Sequence, residues 1–160
     1  YSLVNKSVEL DGVLSDKDTI ELEDGITIKV LSTQGHSCDE LSYVLEENRV
    51  VFTGDTIPVK GDIPIWINEE ELRKSLKKLQ SLKDIDLFYP AWDKTYDKDT
   101  SKQKLKEAFD LIEQIRLNVN SCKESDKDLD SIVNNVCDRM GTKQFMKNPL
   151  FKKSILSFLD

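Results

Sequence analysis

Apolar and polar residues alternate from Ile26 through Ile28 to Val30, with Thr27 and Lys29 between them, and this period of two predicts a strand. Two short apolar runs follow at residues 41–45 and 50–52, separated by Glu47-Asn48, which reads as the turn of a hairpin. Upstream, the runs at 8–14 and 20–22 lie beside the turn signals Asp11-Gly12 and Asp24-Gly25 and read as edge strands. Residues 86–90 predict one more strand. These runs are dense enough to be covered on both faces, so the sheet they form calls for helices packed on it.

The period lengthens after Asn68. Asn68 is a helix cap with Glu71 placed for a capping box, and Leu72, Leu76 and Leu79 form one apolar stripe. From Asp97 onward the helical period dominates. Leu105, Ala108, Phe109, Ile112, Ile115 and Val119 mark one amphipathic helix, and a charged link over residues 123–130 leads to a second stripe of Leu129, Ile132, Val133, Val136 and Met140, closed by Gly141. Asn148-Pro149 opens a last helix with Leu150, Phe151, Ile155, Phe158 and Leu159 on its apolar side. Between strand and helix, residues 56–66 contain Pro58, Gly61 and Pro64, which forbid a regular helix and favour an extended loop.

The candidate chemistry sits at the ends of the strands. The sole histidine, His36, follows Gly35 after the first strand of the hairpin region, and Asp55 follows Gly54 after the third. An imidazole and a carboxylate presented in this way are donors that a metal such as zinc accepts. The sequence Thr33-Gln34-Gly35-His36-Ser37, two strands, and Phe52-Thr53-Gly54-Asp55-Thr56 together resemble the second half of the metallo-β-lactamase fold hydrolases. The resemblance covers residues 7–93. It implies an α/β fold, the second half of an αββα sandwich: a mixed or antiparallel sheet with covering helices, followed by a helical C-terminal tail. Residues 1–160 then form one truncated domain, with 1–96 as the sheet-forming half and 97–160 as the tail.

In that family the histidine of the first motif binds one metal and the aspartate of the second bridges two, so the resemblance implies His36 and Asp55 as ligands of one or two zinc, iron or manganese ions. Family members usually carry Pro-Gly-His where this chain has Pro90-Ala91-Trp92. Indole offers no lone pair to a metal, so Trp92 is no ligand, whereas Asp93 is either a third metal ligand or the cap of the following turn. Ile57, Ile63, Ile65, Trp66 and Trp92 are candidates for the apolar wall of a substrate pocket, or for a loop packed on the sheet. The implied activity of an intact molecule is hydrolysis of an ester, thioester, lactone or amide. With a single histidine the chain lacks the family's His-x-His-x-Asp-His motif. The segment alone is therefore expected to be inactive, to bind metal poorly, and to self-associate or pair with a separate first half. A non-catalytic sensor or scaffold, or an interaction module, is the alternative reading.

Composition narrows the partners. A net charge of −7 opposes binding to polyanions, so nucleic acid is not expected. No apolar run approaches the ~20 residues of a membrane span and no secretory signal opens the chain, which reads as cytoplasmic. Cys38, Cys122 and Cys137 show no Cys-x-x-Cys spacing and read as reduced thiols, with Cys38 the nearest to His36. Neither a Gly-x-Ser-x-Gly elbow nor a P-loop is present. The first residue is Tyr1, which together with the missing motif reads as a piece of a longer protein.

Overall fold

A computed structural model describes residues 9–123, 128–145 and 148–159. The described residues form a six-stranded mixed sheet in the order β1 (Thr19–Glu21), β2 (Thr27–Ser32), β3 (Leu41–Leu45), β4 (Val50–Gly54), β5 (Leu87–Pro90) and β6 (Tyr96–Asp97). All neighbours are antiparallel except β4 and β5, which run parallel. A parallel pair needs a crossover, and helix α1 (Glu69–Ser81) supplies it. After β6 come α2 (Lys98–Lys123), α3 (Leu129–Met140) and α4 (Pro149–Leu156).

The alternation of side chains splits the sheet into two unlike faces. Val44, Val51, Phe88 and Tyr96 are register neighbours and point to one side, where they join the core built from Leu72, Leu76 and Leu79 of α1 and Leu105, Ala108 and Ile112 of α2. The same core continues through Ile132, Val133 and Val136 of α3 to Phe151 and Ile155 of α4, so the helical tail and the sheet share one apolar interior. The opposite face carries Ile28, Val30, Tyr43, Leu45, Val50, Phe52, Leu87 and Tyr89; none of these joins that core, although Val30 is buried and only Phe52 among them is exposed. Phe52 and Tyr89 stack at 5.0 Å between ring centroids on this open side, with Phe52 44% exposed.

The helix signals act locally as expected. Asn68 caps α1 by accepting the Glu71 N–H, Asp128 caps α3 through the Ser131 N–H, and Asn148 caps α4 with Pro149 in its first turn. Gly141 closes α3 in the left-handed conformation at φ 69°. The reciprocal half of the capping box is absent: the Glu71 carboxylate pairs with Lys74, and the Asn68 N–H donates instead to the Gly35 carbonyl.

Some expectations are corrected. Val8 lies outside the described residues, and residues 9–14 form no strand; Leu10 and Val13 are exposed, because a short run ending in Asp11-Gly12 finds no neighbour to pair with. Strand β6 is absent from the sequence reading because it has only two residues and exists through pairing with β5. Leu150 points to solvent, not to the core. No helix among the described residues is long and apolar enough to cross a membrane.

Candidate metal centre

The loop after β2 is pinned from several directions. The Thr33 N–H donates to the Glu40 carbonyl at 3.0 Å and closes the loop, and the Thr33 and Ser42 hydroxyls are paired at 2.9 Å beneath it. The Gly35 carbonyl accepts the N–H groups of Ile67 and Asn68 at 2.8 and 3.2 Å, while the Ser75 hydroxyl donates to the Gln34 carbonyl at 2.6 Å. Gly35 itself has φ +133°, and a Cβ there would lie 2.4 Å from the Leu72 backbone. Only glycine lets the loop approach α1 so closely.

That anchoring aims His36. Its Nδ1 lies 3.0 Å from the Ile65 carbonyl, and because a carbonyl can only accept, Nδ1 carries the hydrogen. In the neutral ring Nε2 is then left with its lone pair. Nε2 faces the Asp55 Oδ2 at 3.9 Å.

Asp55 is delivered by a register shift. The β4–β5 ladder is irregular between Phe52 and Gly54, and Gly54 has φ +54°. Irregularities of this kind re-aim side chains at sheet ends. The parallel pairing also places Pro90 beside Gly54, with the Ala91 N–H donating to the Gly54 carbonyl at 2.9 Å. Trp92 thereby reaches the same edge, 82% exposed.

A cavity of about 600 Å³ opens at this edge, lined by His36 and Asp55 together with Ile57, Pro58, Val59, Ile63, Ile65, Pro90 and Trp92. Asp62, which the sequence reading did not single out, also lines it. Its only signal was the Gly61-Asp62 turn between the prolines.

Trp66 and Asp93 lie elsewhere. Trp66 is fully buried, its indole N–H donating to the Ser157 hydroxyl at 3.0 Å and its ring edge-on to Phe158, so the core and not the cavity receives it. The Asp93 carboxylate accepts the Lys94 N–H at 2.7 Å and the Tyr96 hydroxyl at 2.8 Å, with the Lys104 ammonium 3.6 Å away. Those contacts, the Lys94 N–H foremost, hold it below the usual carboxylate range. Among the described residues Asp93 forms no three-membered donor group with His36 and Asp55, and it does not line the cavity. Cys38 is exposed and outside the cavity wall.

Glu40 is the residue that sequence reasoning missed. Its Oε1 accepts the Asp55 N–H at 2.7 Å. Burial, opposed in part by that hydrogen bond, pushes its carboxyl up to about 7. Nothing in the local pattern distinguishes Glu40 from the many solvated carboxylates of the chain.

The donor chemistry of His36 and Asp55 fits a borderline metal. Two ligand atoms each about 2.0–2.2 Å from one ion lie at most about 4.4 Å apart, so at 3.9 Å His36 and Asp55 could reach the same ion. Among the described residues, no group of three or more His, Cys, Asp or Glu side chains converges as a complete cage. Catalytic zinc sites normally use three protein ligands, so this pair is part of a set.

The model of the Metallo-beta-lactamase superfamily matches residues 4–92, more than half of the chain. The chain belongs to the metallo-beta-lactamase superfamily. An atrochrysone carboxyl ACP thioesterase of Aspergillus fumigatus is 39% identical over 59 residues, covering 37% of this chain and 18% of that protein. A hydroxyacylglutathione hydrolase of Rhodopseudomonas palustris is 34% identical over 80 residues, 49% of this chain and 31% of the relative. Among solved structures, a metallo-beta-lactamase family protein of Thermus thermophilus superposes with a TM-score of 0.71 at 19% identity, over 91% of this chain and 46% of that one. Covering that share, the likeness reaches into the helical tail and shows the shared mixed α/β fold. The chain thus spans less than a third of those curated relatives and just under half of that solved metallo-beta-lactamase structure.

Proposed function

We propose that this chain is the part of a metal-dependent hydrolase that contributes His36 and Asp55 as ligands and that the intact protein cleaves an ester or thioester with an apolar acyl group. The observation that carries this reading is the approach of His36 Nε2 to Asp55 Oδ2 at 3.9 Å at the end of an apolar cavity. Zinc, iron or manganese suits an imidazole–carboxylate pair, and when bound such an ion supplies Lewis-acid activation of water near neutral pH. The Ile65 carbonyl keeps the His36 ring in the orientation that offers Nε2. Ile57, Ile63, Ile65 and Trp92 hold the acyl part and keep bulk water from it. Thioester cleavage is favoured by the relatives named as a thioesterase and a hydroxyacylglutathione hydrolase.

The remaining ligands belong to the part of the fold that this chain does not span. We infer that the uncovered sheet face bearing Phe52 and Tyr89 packs against that part, since the chain covers 46% of the Thermus structure and an apolar sheet face calls for a second layer. Asp93 serves its turn and stands outside the ligand set.

The test is to replace His36 and Asp55 by alanine in the intact zinc-loaded protein. Loss of zinc and of acyl-thioester hydrolysis, with the Tm of the metal-free parent retained, is the expected result. Variants that keep both would overturn the reading. A second reading, a non-catalytic sensor or scaffold, is favoured by Trp92 standing in the cavity wall at a position where it cannot ligate a metal. Zinc bound through His36 and Asp55 without any hydrolysis would select it.

A further inference from the structure

We propose that Glu40 is the positioning residue that fixes the His36 loop and the Asp55 loop relative to each other, an inference that rests on the reading of His36 and Asp55 as ligands. Glu40 works through both its main chain and its side chain. The Glu40 carbonyl accepts the Thr33 N–H at 3.0 Å and so closes the loop that carries His36. Its Oε1 accepts the Asp55 N–H at 2.7 Å and so holds the residue that follows β4. No other described hydrogen bond joins the loop over residues 33–40 to Asp55 itself, apart from the approach of the His36 ring.

The surroundings are shaped for this contact. Gly54 sits at φ +54°, and a Cβ there would come within 3.1 Å of Glu40 Oε1, so the glycine leaves space for the carboxylate as well as relieving the backbone. Glu40 Oε2 is buried, with the Thr56 side chain as its polar neighbour. Removing a partner that orients a metal ligand typically weakens metal binding ten- to a hundredfold.

The experiment compares Glu40→Met, which keeps the side-chain length and removes the acceptor, with Glu40→Gln, whose carbonyl can accept the same N–H. Zinc affinity is measured by chelator competition in the intact protein, together with hydrogen-exchange protection of the Asp55 amide and Tm. Glu40→Met is expected to weaken zinc binding at least about tenfold and to deprotect the Asp55 amide, whereas Glu40→Gln stays within about threefold of the parent on both counts. If Glu40→Met unfolds, Glu40→Gln against Glu40→Ala makes the same comparison. Zinc held equally well by the acceptor-free variant, or lost equally in Glu40→Gln, overturns the role of Glu40. A parent protein that binds no zinc through His36 and Asp55 fails at the earlier step, and the parent titration separates the two failures.

Discussion

Ser154 on α4 grips the main chain of Trp66: its hydroxyl accepts the Trp66 N–H at 2.9 Å and also lies 2.9 Å from the Pro64 carbonyl, to which it donates. The C-terminal helix therefore holds the short segment whose Ile65 carbonyl orients His36. Ser154 is fully buried, so water does not replace these bonds. Ser154→Ala is expected to cost about 1–3 kcal/mol by leaving the Trp66 N–H unsatisfied. At about 2–4 °C per kcal/mol for a chain of this size, the loss should be visible in thermal unfolding followed by circular dichroism. An unchanged Tm would show that the loop holds itself without α4.

Asp93 should behave as a structural clamp. Asp93→Ala strips the buried Tyr96 hydroxyl and the Lys94 N–H of their acceptor, and the Tyr96 hydroxyl alone should account for about 1–3 kcal/mol. Urea unfolding should show that loss while the zinc stoichiometry of the intact protein stays the same. A drop in zinc content with undiminished stability would return Asp93 to the ligand set.

Glu40 gives the apo chain a pH dependence of definite sign. Its carboxyl is pushed up to about 7 by burial, from 4.5 as the ordinary value. Between those two values the folded chain holds a proton that the unfolded chain has released, so stability falls as pH rises from about 4.5 to about 7 and then levels off. Glu40→Gln removes that proton equilibrium. Measured in chelator, the stability of the parent relative to Glu40→Gln should decline between about pH 5 and about pH 8. A constant difference across that range would show that the carboxyl titrates in its ordinary range.

The open sheet face should drive association of the chain by itself. Phe52 and Tyr89 stack there outside the core that the described helices build, and each Å² of apolar surface withdrawn from water contributes about 25 cal/mol. Sedimentation of the chain alone is expected to show concentration-dependent self-association, and Phe52→Glu should shift it toward monomer without lowering the helix signal. A parent chain that remains monomeric at every accessible concentration would show that this face tolerates water.

The sequence by itself determined the elements whose cause is local. Period-two alternation places Ile28 and Val30 on one face of β2, Asn68 and Asn148 cap helices because their side chains reach N–H groups within the next three residues, and Gly35 and Gly54 mark the strand ends that carry His36 and Asp55. The tertiary structure alone decided where the polar groups of the loops point. Trp66 is drawn into the core by Ser154 and Ser157, Asp93 is taken by Tyr96 and Lys104, and Glu40 reaches the Asp55 N–H across a hairpin. A loop side chain turns toward whichever partner satisfies it, and where that partner comes from another element, packing fixes its place. The two faces of the sheet are a case of both: alternation divided them, and only the packing of α1 and α2 showed that the side bearing Val51 joins the core while Phe52 on the other side is left exposed.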